Sequence, residues 1–299
     1  MAALAPDTPP DTALRQIVAE CHADLLKYRA IVLAGRRAIG IHQTRVALRR
    51  MRAALGLFRG AVDGPTEGRI VRALAAEAKW LAGECGPARD LHVFLTETAA
   101  EVPLEVKRIA TRLARLHYDR ARTALSGARY NSFDGQLTAF VQAAPAAPST
   151  ESPARLEDFG RALLERRHAK VERRGQHFRS LDRDELHRLR IAIKKLRYAA
   201  SFLRPAFASE GAKAYIEATT RLQGALGAMN DHAVAAQMVD DIAVAARPSE
   251  DVEQPLRNLA KQAASGDKER RHKLRQAWKR FREAERFWRA RAKQSSRTK

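Results

Sequence analysis

The sequence predicts an all-α fold built from two similar helical bundles packed as one unit. Three observations carry this reading. Apolar residues recur with helical period almost everywhere, and no alternating strand of five or more residues stands out. Aromatic residues make up only 6% and alanine is abundant, which suits helices packed closely through small side chains. Two blocks of sequence also occur twice, in the same order.

Taken in order, the first set of helices is expected over residues 12–34, 37–59, 66–82, 88–99, 104–127 and 131–142. Residues 143–153 hold three prolines among small residues and read as a linker. The second set is expected over 154–179, 183–204, 209–226, 230–245, 251–264 and 267–292. The halves are therefore 12–142 and 154–292. Residues 41–52 match residues 186–197 at an offset of 145, which aligns His42 with His187, Arg45 with Arg190, Arg49 with Lys194, Arg50 with Lys195 and Arg52 with Arg197. Residues 81–90 match residues 222–231 at an offset of 141, so one loop is four residues shorter. Ordered repeats of this kind imply an internal duplication, with two bundles related by a pseudo-twofold axis.

The chain has 299 residues, 55 of them Lys or Arg against 34 Asp or Glu, a net charge of +21. Such a charge concerns partners more than fold. It points to a polyanion: nucleic acid, an anionic membrane surface or polyphosphate. No apolar run is long enough to span a membrane, and residues 1–11 lack the apolar stretch of a secretory signal. Two cysteines, Cys21 and Cys85, do not make a disulfide framework, so the expected location is cytoplasmic with reduced thiols.

At about 100° per residue, His42, Arg45, Arg49 and Arg52 share one helical face, opposite Thr44, Leu48, Met51, Leu55 and Phe58. His187, Arg190, Lys194 and Arg197 likewise lie opposite Leu189, Ile193, Leu196, Ala200 and Leu203. Arg50 and Lys195 sit on the flank of each stripe. Like charges three and four residues apart repel by a few tenths of a kcal/mol per pair. A face meant only for solubility would interleave acids, yet 41–59 and 186–204 contain none. An anion is the simplest compensating partner. Arg112, Arg115, Arg120, Arg167, Lys170, Arg174, Arg271 and Arg275 widen the basic surface. The stretch from 268 to 299 is strongly basic, and beyond Phe287 it reads as a tail.

The pattern His-x-x-Arg near the start of each half, followed by further basic residues, resembles the conserved histidine α-helical domain, the CHAD family. So do the glycine-containing block that ends in Asp90 or Asp231 and the duplicated all-helical layout. The resemblance spans roughly residues 12–290. It implies a basic central channel or groove that binds inorganic polyphosphate, in bacteria at polyphosphate granules. It marks His42, Arg45, Arg49, Arg50, Arg52, His187, Arg190, Lys194, Lys195 and Arg197 as ligand-facing. The first block departs from the pattern at Pro87. Asp90 and Asp231 follow glycine-containing turns, where a helix N-cap role is expected, with pairing to the basic face as the alternative.

Other chemistry finds no support in the sequence. No Gly-x-x-x-x-Gly-Lys-Ser/Thr loop, His-Glu-x-x-His, Cys-x-x-Cys or Glu-x-Glu-x-Lys pattern occurs, so a metal site, a cofactor and an enzyme are not expected. Nucleic acid is the second candidate ligand. It is disfavoured because Trp278, Phe281, Phe287 and Trp288 read as core and leave no stacking platform.

Overall fold

The computed structural model describes residues 4–35, 38–62, 64–97, 104–144, 155–207, 209–245 and 267–289. Of residues 230–245, only the helix backbone and the Ile242 side chain are described. Among the described residues there are ten α-helices, two single 3-10 turns and no strand. The first six helices are α1 (Pro10–Ala34), α2 (Ala38–Leu57), α3 (Pro65–Glu84), α4 (Gly86–Glu97), α5 (Leu104–Ser126) and α6 (Ala128–Gln142). The remaining four are α7 (Leu156–Arg174), α8 (Arg183–Leu203), α9 (Gly211–Ala245) and α10 (Asp267–Glu283). Each matched basic block lies inside one continuous helix, α2 or α8. Each of those helices is followed by a 3-10 turn, Arg59–Ala61 and Arg204–Ala206.

Three boundaries differ from expectation. The helix expected over 154–179 ends at Arg174, where Gly175 caps it and residues 175–180 form turns. The segments 209–226 and 230–245 form one helix, because Gly224 and Gly227 lower helix propensity without removing a hydrogen bond. The last helix stops at Glu283 and does not reach 292; Phe287 and Trp288 follow the helix and are both buried. The predicted helix 251–264 lies outside the described residues, as does the predicted linker beyond Ala144.

Both apolar stripes become core. Leu48, Met51 and Leu55 of α2 are buried with Phe58 just after it, and so are Leu189, Ile193, Leu196, Ala200 and Leu203 of α8. Burying a side chain of this size contributes about 1.5–3 kcal/mol, so the stripes fix which way the basic faces turn. The helix α2 packs on α1, α3 and α8; α8 packs on α7 and α9; and α9 packs on α10. The pair α2 and α8 thus forms a seam between helices α1–α6 and helices α7–α10.

Further contacts fasten these two groups of helices together. Phe58 and Phe159 meet at 5.2 Å between ring centroids. The N–H groups of Leu156 and Glu157 donate to the carbonyls of Thr8 and Pro6 at 2.9 and 3.0 Å, so the start of the chain caps α7. A smaller apolar cluster of Leu91, Phe94, Val106, Ile109, Ala110 and Ile242 seats the far end of α9 on α4 and α5. Trp278, Phe281, Phe287 and Trp288 are core, as the sequence suggests. Cys21 and Cys85 are buried free thiols, both pushed up to about 12 chiefly by burial.

Candidate polyanion-binding seam

The start of α8 is set by a reciprocal cap. Asp182 Oδ1 accepts from the Glu185 N–H at 2.7 Å, and Glu185 Oε2 accepts from the Asp182 N–H at 2.9 Å. These acids end just before the basic stripe begins. The direct packing of α2 on α8 then brings the stripes together. Lys194 is half-buried, and its ammonium is held below the usual lysine range. Burial is the first cause, followed by the fields of Arg190, Arg52, Arg49 and Lys195. Four cations from two helices, Arg49, Arg52, Arg190 and Lys194, therefore converge. Arg49 Nε donates to Tyr198 Oη of α8 at 2.8 Å, which pins one of them across the seam. Arg190 Nε is buried without a hydrogen-bond partner among the described residues. Arg197 Nε donates to Gln223 Oε1 of α9 at 2.8 Å, and His187 is exposed.

At the other end of α2 the surroundings are richer. Arg45 Nη1 donates to the Ala82 carbonyl at 2.8 Å. A Cβ at position 86 would lie 3.0 Å from the same nitrogen, so Gly86 leaves the room that the guanidinium occupies. Arg89 Nε donates to His42 Nδ1 at 3.0 Å. That bond needs an unprotonated Nδ1, so His42 is neutral with its proton on Nε2. Burial holds the imidazole below its ordinary range, reinforced by Arg89, Arg49, Arg45 and His92. Asp90 is half-buried; burial raises its carboxyl, against the pull of Arg45 and Arg89.

Asp90 lies in the second turn of α4 and Asp231 lies well inside α9, so neither is an N-cap. The helix α4 starts at Gly86, with Pro87 in its first turn, ahead of Asp90. The α9 helix does not break near 231 at all.

The remaining predicted residues fall into separate groups. Arg50 turns away from the seam toward α1, where Asp24 and Glu20 lie at 3.4 and 3.7 Å. Two acids already neutralise it, because its flank position on α2 faces the neighbouring helix. Lys195 looks to α7, where Arg167, Lys170 and Arg174 lower its ammonium after burial itself. Arg167 and Lys170 line a cleft of about 560 Å³ with Arg59 and Arg166. Arg174 Nη1 donates to the Arg188 carbonyl at 2.5 Å. Arg120 is paired with Glu84 at 2.5 and 3.0 Å. Arg112 and Arg115 are exposed on α5, and Arg271 and Arg275 on α10. Arg89 and Tyr198 touch the basic face without standing out in the sequence; Arg89 lies inside the matched block 81–90 and Tyr198 directly follows the block 186–197.

No described helix is long and apolar enough to cross a membrane. No curated protein matches the chain. Among solved structures, it is similar to the crystal structure of the CHAD domain from the plant Ricinus communis. The two are 27% identical with a TM-score of 0.77, over 92% of this chain and 93% of that one. It also shares its fold with PptA from Streptomyces chartreusis, at 15% identity and a TM-score of 0.61, over 93% of this chain and 99% of that one. The family model of the CHAD domain matches residues 16–240. With that span covering the α2–α8 seam and most of the chain, the chain belongs to the CHAD domain family.

Proposed function

We propose that the protein binds inorganic polyphosphate along the groove where α2 meets α8, as a binder without catalytic activity. The observation that carries this reading is the convergence of Arg49 and Arg52 with Arg190 and Lys194, on two stripes free of acids. Membership of the CHAD family supports it. Each internal phosphate carries about one negative charge, and guanidinium forks match phosphate oxygens in pairs. A polyphosphate chain resembles a nucleic-acid backbone without bases, and no stacking partner is needed along the seam. In the cell, such a protein would collect in the cytoplasm at polyphosphate granules.

The test is a competition of polyphosphate against single- and double-stranded DNA and RNA at several salt concentrations. Polyphosphate should win at physiological salt, and equal or tighter DNA binding would reverse the assignment. A variant with Arg45, Arg49, Arg190 and Lys194 all replaced by Ala should bind polyphosphate at least a hundredfold more weakly, since each charge-assisted contact is worth about 1.5–3 kcal/mol. The slope of log K against log salt should shrink by up to about 3, because fewer counterions are released. A folded variant with parental affinity would place the site elsewhere.

A further inference from the structure

A second basic cleft, of about 910 Å³, opens between the α7–α8 loop and α10. It shares no lining residue with the seam. Phe178 and Trp278 form its apolar wall, stacked at 4.7 Å with their rings 3° from parallel. Trp278 is held from behind: a Cβ on Gly175 would stand 2.1 Å from its ring, so the indole lies directly on the backbone there. Phe178 is only half-buried and lines the cleft. Around this wall stand Arg179, Arg275, Lys279 and Arg282, with Glu283 the one acid among the lining residues. Glu283 lies 3.9 Å from Lys279, which leaves three guanidinium groups in excess.

A bare phosphate chain has nothing to place against a half-exposed phenyl ring. A ligand that carries both a planar ring and several phosphates uses every part of this wall: the ring stacks on the aromatic face and the guanidinium forks take the phosphates. The volume lies in the range of small-ligand sites, about 300–1,000 Å³. From His272 to Glu283 the α10 edge of the cleft is about 16 Å long at 1.5 Å per residue, enough for one extended nucleotide. We propose that this cleft binds a nucleoside polyphosphate, with the base against Phe178 and the phosphates among Arg179, Arg275, Lys279 and Arg282. The proposal does not depend on what the seam binds.

Calorimetric titration of the full chain at physiological salt tests it, with ATP, adenosine, inorganic tripolyphosphate and a short oligothymidylate as probes, every tripolyphosphate comparison being made in the Arg49→Ala/Lys194→Ala background so that the seam does not take up the inorganic probe. ATP should bind at least tenfold tighter than tripolyphosphate or adenosine. Phe178→Ala should weaken ATP about tenfold and leave tripolyphosphate unchanged. Phe178→Leu, which keeps an apolar contact with Trp278 but offers no ring, should behave in the same way if the chain stays folded. The double variant Lys279→Gln/Arg282→Gln should weaken ATP and tripolyphosphate alike. The seam variant Arg49→Ala/Lys194→Ala should keep the ATP affinity of the parent. Equal affinity for ATP and tripolyphosphate, an ATP affinity indifferent to Phe178, or loss of ATP binding in the seam variant would each overturn the proposal. Oligothymidylate binding tighter than ATP with the same dependence on Phe178 would replace the nucleotide with a nucleic-acid strand.

Discussion

The matched segments 81–90 and 222–231 do two different things with nearly the same pattern. In the first, the chain breaks after α3 at Glu84 and restarts as α4 at Gly86. In the second, α9 runs straight through. The position that differs in backbone chemistry is Pro87 against Ala228. Proline has no N–H to offer the carbonyl four residues earlier and its ring crowds that carbonyl, so a helix breaks or bends there and restarts with proline in its first turn. The restart places Gly86 under Arg45, and brings Arg89 to His42 and Asp90 close to Arg45. On the other side, Gly227 has open space around its Cα, and the polar link from helix to basic stripe is Gln223 to Arg197. One substitution therefore separates a crowded, partnered end of the seam from an open one.

The strongest way to break this contrast is to move the proline. Ala228→Pro should bend or split α9 and cost about 3 kcal/mol, read from the midpoint of urea denaturation. Pro87→Ala should cost far less, since the chain there is already arranged around a break. If both substitutions cost the same, the proline does not explain the difference.

A smaller effect comes from the two glycines. Gly227→Ala should stabilise by about 0.5–1 kcal/mol, because it sits inside a helix with room for a methyl group. Gly86→Ala should forfeit that gain. Its methyl would press the Arg45 guanidinium off the Ala82 carbonyl, and polyphosphate affinity should fall several-fold with it. A stabilised Gly86→Ala variant with parental affinity would show that Arg45 need not stand where it does.

The mildest difference should appear in pH dependence. Burial and the cations around His42 hold its imidazole below the usual histidine range. A polyanion bound along the seam, as proposed, would offset those cations and raise it again. The bound state then holds more protons, so affinity should rise as pH falls from 7 toward 5. The rise should be about twofold to fivefold, on the scale of a fraction of one pKa unit. His42→Gln should flatten this response, whereas exposed His187→Gln should leave it in place. Calorimetry with a long polyphosphate, whose end groups are few, reads both.

Removing basic residues from the seam is less simple than their mutual repulsion suggests. Arg45 and Arg49 each make a hydrogen bond of 2.8 Å, to the Ala82 carbonyl and the Tyr198 hydroxyl. Their loss leaves those groups without a partner, at about 1 kcal/mol each. Lys194 makes the opposite case. Its ammonium is held below its ordinary range, so the unfolded chain binds its proton more tightly and stability should rise with pH through the alkaline window below the usual lysine value.

The sequence by itself determined what depends on near neighbours along the chain. The helical class, the placement of most helices and the opposition of basic to apolar faces on α2 and α8 follow from a 3.6-residue period and from which side chains avoid water. So does the excess of uncompensated positive charge, which is a count. The tertiary structure decided what depends on distant residues. Arg50 and Lys195 hold matching positions in the repeat, yet one meets Asp24 and Glu20 of α1 while the other meets Arg167, Lys170 and Arg174 of α7. Tyr198 reads as an ordinary aromatic until α2 lies against α8 and Arg49 reaches its hydroxyl. Phe178 stood in no motif, and its ring became part of a cleft only when α10 laid Trp278 across Gly175. Periodicity fixes the side of a helix on which a charge stands. The partner that charge meets is fixed by the packing of helices far apart in sequence, because Coulomb and hydrogen-bond terms act over a few ångströms of space.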